Sequence, residues 1–368
     1  MISKLTADNI LRWYGYARAR LHLTPSRPLG YFLYLTGRCN LNCEYCWQRE
    51  MPNRTSINTK TGKNELTSDE WLKVLKSIPK PAFVGFTGGE PLLHPGFRDI
   101  IRHVSGRLPF TVNTNGLLLD DDMLGELIEC GVSNISISID GFADLHDKSR
   151  KKLGLFDHIV KRIMKLNEIK GRKGIKKPTL TVKTVLLDGL SERLAEFYRF
   201  CNDVLKADCI NISFMKTAEH AQFDFRTYES LSDLREVGVP QCYDYGDKDT
   251  IPAALGELLD MSLKNRCKVL LYPKMSSKAS ISKLMDAGGK NVFAPCYLPW
   301  SLVVVLSDGE IIPCLSVRSV NVRALEFDMK KLSGVERHRG FLMWRDKMNR
   351  ERKSPQECNM CCFSEVNE

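Results

Sequence analysis

Cys39, Cys43 and Cys46 are spaced C-x3-C-x2-C in the segment Thr36-Gly37-Arg38-Cys39-Asn40-Leu41-Asn42-Cys43-Glu44-Tyr45-Cys46. Three thiolates within eight residues can hold three irons of a cubane. The fourth iron is then left without a protein ligand, open to a chelating amine and carboxylate. Zinc is the competing occupant, but structural zinc asks for four ligands, and no Cys or His follows Cys46 within forty residues. A second set, Cys296, Cys314, Cys358 and Cys361, reads C-x17-C-x43-C-x2-C. Four cysteines suit either zinc or a fully ligated iron–sulfur cluster. Such a cluster has no open iron, so it is fitted to carry electrons rather than to bind substrate. Cys362 could replace Cys361, although the C-x2-C bite favours Cys361. The other cysteines are scattered, and a free Cys in a core behaves as a small hydrophobe.

Elements able to position these groups are legible from residue 31 onward. Short β-rich runs alternate with amphipathic segments, the pattern of parallel strands joined by crossover helices. Six strands are expected: Tyr31–Thr36, Ala82–Phe86, Phe110–Thr114, Asn134–Ile139, Thr179–Leu186 and Cys209–Phe214. Helices should begin near Thr67, Pro95, Asp120, Phe156 and Ser191, with Thr67 and Asp120 as N-terminal signals. Six units make a partial (β/α)6 barrel of the α/β class rather than a closed one of eight. Ligands in such folds sit at the carboxyl ends of strands. Four strand ends run into polar or glycine-rich motifs: Cys39, Gly88-Gly89-Glu90-Pro91, Asn115-Gly116 and Asp140-Gly141. The expected organisation is an N-terminal helical extension (1–28), the partial barrel (29–215), a connecting, substrate-facing segment (216–290) and a small C-terminal domain of β-hairpin plus helix (291–368). Ser307-Asp308-Gly309 between β-rich runs marks the hairpin.

The chain has 368 residues, 43% of them hydrophobic, and a net charge of +10. It shows neither a secretory signal nor a long apolar span, so a cytoplasmic location is expected, where thirteen cysteines suit thiolate chemistry better than disulfides. Lys170–Lys177 reads as a solvated loop, and nucleic-acid binding is disfavoured. Arg12 to Arg27, with Trp13, Tyr14 and Tyr16, reads as a short helix packed on the barrel, with peripheral membrane contact as the alternative.

The first cysteine set, with Tyr45 before its third cysteine, resembles the cluster loop of the radical SAM superfamily, and the resemblance extends over nearly the whole chain. It implies a [4Fe–4S] cluster that passes an electron to S-adenosylmethionine (SAM), releasing a 5′-deoxyadenosyl radical that abstracts hydrogen from substrate. Gly88, Gly89 and Glu90 resemble the family's GGEP motif, which receives the SAM amino group. Thr114 in Thr114-Asn115-Gly116 resembles a residue near SAM, and Ser138 resembles the serine that bonds the SAM ribose. Arg150 resembles an arginine pairing with the SAM carboxylate, a task for a fork-shaped guanidinium, with Lys183 as a supplement. The second cysteine set resembles the auxiliary-cluster region of the SPASM and twitch subgroup, in its shorter twitch form with one further [4Fe–4S] cluster. The resemblance thus implies two clusters, SAM, and an external electron donor of flavodoxin or ferredoxin type. The reading is a radical SAM oxidoreductase acting on a small molecule, sugar or lipid. Alternatives are modification of a ribosomal peptide, an epimerisation using Cys242 or Cys267 as hydrogen donor, and a non-enzymatic iron–sulfur carrier.

Overall fold

A computed structural model describes residues 7–21, 27–46, 64–215, 250–287, 292–312, 320–332 and 365–366. Helix α1 (Ala7–Arg20) precedes strand β1 (Gly30–Thr36). Five strand–helix units follow in sequence: α2 (Ser68–Ser77), β2 (Phe83–Gly88), α3 (Phe97–Val104), β3 (Phe110–Thr114), α4 (Asp121–Glu129), β4 (Asn134–Ser138), α5 (Ala143–Arg150), α6 (Leu155–Lys173), β5 (Thr179–Leu186), α7 (Leu194–Arg199) and β6 (Cys209–Phe214). Then come α8 (Thr250–Lys264), β7 (Lys268–Tyr272), α9 (Lys278–Met285), β8 (Leu302–Val305), β9 (Glu310–Ile312) and β10 (Val320–Asn321).

All ten strands form one sheet in the order β10-β9-β8-β1-β2-β3-β4-β5-β6-β7. Neighbours from β8 through β7 pair in parallel, and β8-β9-β10 pair antiparallel. Parallel strands are covered on both faces, which is why β8 reads Leu-Val-Val-Val with every residue buried. The expected six-stranded core is therefore enlarged at both ends. β7, at the strand-like run Val269–Tyr272 of the connecting, substrate-facing segment, extends the sheet past β6. β8 lies on the free edge of β1, and it carries the hairpin through Gly309 at φ +90°. Among the described residues β7 and β8 do not pair, so the barrel stays open.

Local sequence explains the helix starts. Thr67 and Glu70 form a capping box on α2, and the Asp120 side chain accepts from the Met123 amide on α4. Trp71, Val74 and Leu75 of α2 bury one face, as do Ile159, Ile163 and Leu166 of α6, in one core that also takes in Tyr31, Leu33, Val84, Phe86, Phe110 and Val112 of the sheet. α1 packs as the sequence suggests. Leu11 is buried with Leu298 and Leu302 at the start of β8, and a Cβ on Gly15 would stand 2.1 Å from the Tyr297 carbonyl oxygen. No described helix is long and apolar enough to cross a membrane.

Candidate active site

The loop carrying Cys39, Cys43 and Cys46 leaves the carboxyl end of β1 and is fastened by four sets of contacts. First, the turn after β2 grips it by backbone: the Gly89 amide donates to the Thr36 carbonyl and the Glu90 amide to the Arg38 carbonyl, each at 2.8 Å. The approach leaves no room for side chains. A Cβ on Gly88, at φ +143°, would stand 2.3 Å from the Thr36 oxygen, and one on Gly89 would stand 2.2 Å from the Arg38 oxygen. Second, Glu90 is fully buried and accepts from Thr114 Oγ1 at 2.8 Å, the Asn115 amide at 2.7 Å and the Leu92 amide at 3.2 Å. Burial pushes its carboxyl up to about 7, against the pull of these three donors. Asn115 then reaches back to the loop, donating to Asn40 Oδ1 at 2.8 Å and lying 3.7 Å from Cys39 Sγ.

Third, Asp140 at the end of β4 is fully buried and holds the far side. Its Oδ2 accepts from the Tyr45 hydroxyl and from Arg150 Nε at 2.8 Å, and its Oδ1 accepts from the Val185 amide at 2.9 Å. The Arg150 guanidinium lies 5.8 Å from the Tyr45 ring centre, and the Glu44 amide donates to the Ser149 carbonyl at 2.9 Å. Burial works to lower the Arg150 pKa, yet the Asp140 charge carries it above its usual value. Glu65 completes the fastening from before α2: Thr36 Oγ1 donates to both its oxygens at 2.9 Å, and Arg38 Nε lies 3.5 Å away.

The expected residues thus divide. Cys39, Cys43, Cys46, Tyr45, Gly88, Gly89, Glu90, Thr114 and Arg150 come together at one rim. Ser138, the last residue of β4, pairs in register with Lys183 of β5. Thr114 and Glu90 spend their hydrogen bonds on each other and on neighbouring amides. Cys296 lies at the opposite end of the sheet, against the cluster of Leu11, Leu298 and Leu302. With 7 residues in β1, it is separated from the rim by roughly 20 Å. Cys314, Cys358, Cys361, Cys362 and Cys242 lie outside the described residues. Cys267 is buried just before β7, away from the rim, with its thiol pushed up to about 12 by burial. Sequence reasoning passed over Asp140, Asn115 and Glu65 as site residues. A signal existed for the first two, since both follow strand ends beside a glycine, but none existed for Glu65.

The three cysteines are unbridged, and among the described residues no three His, Cys, Asp or Glu side chains close into the shell of a single metal ion. A cubane asks for a wider triangle, because each thiolate binds a different iron. Three thiols on one rim loop fit that demand. Burial raises the Cys39 and Cys43 thiols, so a bound cation is what would draw them into the thiolate form.

Residues 33–201 match the profile of the Radical SAM superfamily. These residues form a radical SAM domain. Such a domain implies a [4Fe–4S] cluster and SAM. The chain is 28% identical over 211 residues to the tungsten-containing aldehyde ferredoxin oxidoreductase cofactor-modifying protein of Pyrococcus furiosus, covering 56% of this chain and 57% of that protein. It is 32% identical over 145 residues to the sporulation killing factor maturation protein SkfB of Bacillus subtilis, covering 38% and 33% respectively. The matched segments therefore span from a third to just over half of these relatives. Among solved structures, SuiB of Streptococcus suis superposes with a TM-score of 0.63 at 15% identity, covering 95% of this chain and 75% of SuiB, a likeness of fold.

Proposed function

We propose that this radical SAM enzyme is an oxidoreductase acting on a small molecule, sugar or lipid, with Cys39, Cys43 and Cys46 holding the SAM-cleaving cluster. In the same reading Cys296, Cys314, Cys358 and Cys361 hold an auxiliary cluster that serves electron transfer. When bound, the first cluster and SAM together supply a 5′-deoxyadenosyl radical able to take hydrogen from carbon. The chain's own residues prepare that chemistry. Asn115, Glu90 and Asp140 fix the cysteine loop on three neighbouring strand ends, Arg150, with Lys183 as a supplement, offers a cation for the SAM carboxylate, and Ser138 offers a hydroxyl for its ribose.

The observation that carries this reading is the clamp itself: backbone and buried carboxylates hold a three-cysteine loop where parallel-strand folds place ligands. The placement of Cys296 roughly 20 Å from the rim favours electron supply or removal at a distance over substrate contact at that site.

Anaerobic reconstitution tests it. About eight irons are expected, falling to about four when Cys39, Cys43 and Cys46 are all changed to Ala, with 5′-deoxyadenosine formation lost. About four irons with zinc bound would overturn the auxiliary redox role. Reduction with SAM that yields no 5′-deoxyadenosine would overturn the enzyme reading and leave an iron–sulfur carrier.

A peptide substrate is the second reading, supported by SkfB, a maturation protein, and by SuiB, whose structures include one bound to its precursor peptide. Fully deuterated cell extract separated by size distinguishes the two. Deuterium is expected in 5′-deoxyadenosine with the small-metabolite fraction, whereas transfer only from the peptide fraction establishes the second reading. Epimerisation through Cys267 finds no support, since that thiol is buried away from the rim.

A further inference from the structure

The outward face of α1 takes no part in the candidate active site. Leu11 and Gly15 turn inward, as noted above. On the other side Trp13 is 69% exposed and Ile10 42%, and Leu21 just past the helix is 65% exposed, while Tyr16, 44% exposed, sits at the border with its ring edge-on to Tyr297 at 5.3 Å. Nine large hydrophobic side chains are exposed among the described residues, and four of them are on this one helix and its end. The other five are scattered, as on most protein surfaces.

Position on the helix makes the four a face. Ile10, Trp13, Ala17 and Leu21 recur at three- and four-residue spacing, so they form one stripe along the axis, with Tyr16 beside it. Charge gives the stripe a partner. Residues 1–28 contain Lys4, Arg12, Arg18, Arg20 and Arg27 against the single acid Asp8, a local surplus of four positive charges. A Trp- and Leu-bearing face within a cationic segment is the composition of a helix lying in a bilayer interface, where indole and phenol rings sit at headgroup level and cations meet anionic lipid.

We infer that α1 is a peripheral docking element for anionic lipid surfaces, inserting Ile10, Trp13 and Leu21 at the headgroup boundary. A lipid surface is favoured over a protein because the face is the convex back of one helix, which a fluid interface can receive without a complementary groove. α1 lies at the end of the sheet opposite the cysteine rim, so a membrane held there leaves the rim uncovered. The inference stands independently of the reaction proposed above. A failure to bind lipid leaves SAM cleavage untouched, and a failure to cleave SAM leaves this face unchanged.

Flotation of the reconstituted full chain with vesicles tests it. The protein is expected to float with phosphatidylcholine mixed with phosphatidylglycerol, far less with phosphatidylcholine alone, and less as salt is raised. Trp13→Ala with Leu21→Ala should weaken binding by at least roughly tenfold, given what burial of side chains of that size contributes. This variant should keep the parent's iron content, helical circular dichroism and 5′-deoxyadenosine yield, which excludes misfolding as the cause. A milder variant, Trp13→Tyr, should retain most of the binding. No flotation with anionic vesicles, or binding that the double variant does not diminish, overturns the proposal. So does a concentration-dependent dimer that the double variant abolishes in the absence of vesicle binding, which would make the face a contact between copies.

Discussion

Asp140 is the residue on which both the cluster loop and Arg150 depend. Arg150 is 8% exposed at its side chain and Asp140 not at all, so removing the carboxylate leaves a cation stranded out of water. Breaking such a pair costs about 3–5 kcal/mol. Asp140→Ala should therefore lower the urea midpoint strongly and weaken SAM binding measured by calorimetry, with Asp140→Asn intermediate because it keeps an acceptor for Tyr45. An unchanged midpoint in Asp140→Ala would refute the arrangement. His146 offers a pH test next door. The Asp140 amide donates to its Nδ1 at 3.1 Å, so the ring is neutral, with its proton on Nε2. Burial, then the nearby Arg150 charge, lower its pKa from 6.5 to about 4. Because the folded value is depressed, the unfolded chain takes up a proton below about 6.5 that the native ring refuses until about 4. Stability is thus lost as pH falls through that window, by up to about 3 kcal/mol. His146→Gln, which keeps an acceptor, should flatten this acid limb, whereas parallel urea midpoints for variant and parent would exclude it.

At the scale of elements, the turn after β2 and the loop after β1 are built to touch backbone to backbone. Gly89→Ala sets a methyl 2.2 Å from the Arg38 oxygen, and overpacking of this kind costs roughly 1–3 kcal/mol. The strain falls on the loop rather than on the sheet, so the variant should keep its helical circular dichroism and lose first-site iron on reconstitution. Iron content equal to the parent's would show that the clamp is dispensable. These elements were legible for a reason. β1 to β6 are marked by local apolar runs, and Thr67 and Asp120 announce their helices by hydrogen bonds formed within three residues. The pairing of β8 with β1, across some 270 residues, and the addition of β7 beyond β6 leave no comparable local mark.

The whole molecule separates Cys296 from Cys39, Cys43 and Cys46 along the length of one strand. If Cys296 and its partners hold a cluster, two paramagnetic centres roughly 20 Å apart should couple weakly. The electron paramagnetic resonance spectrum of the reduced parent should then equal the sum of two spectra: one from the variant lacking Cys39, Cys43 and Cys46, the other from the variant lacking the C-terminal set. Strong splitting absent from both variants would place the sites closer together. The lipid-facing helix belongs to this scale as well, since its position matters only relative to the rim at the other end.

The sequence alone determined the cysteine spacing and the motif order, because the C-x3-C-x2-C run, the Gly-Gly-Glu-Pro turn and alternating apolar runs act through neighbours in the chain. It also supplied the α/β class for the same reason. Only the tertiary structure decided what holds those cysteines in place. Tyr45 meets Asp140 across 95 residues and Cys39 faces Asn115 across 76, contacts that exist because parallel strands bring distant ends to one rim. It likewise decided that Cys296 stands at the far end of the sheet, since β8 joins β1 in parallel and so enters it from the end opposite Cys39.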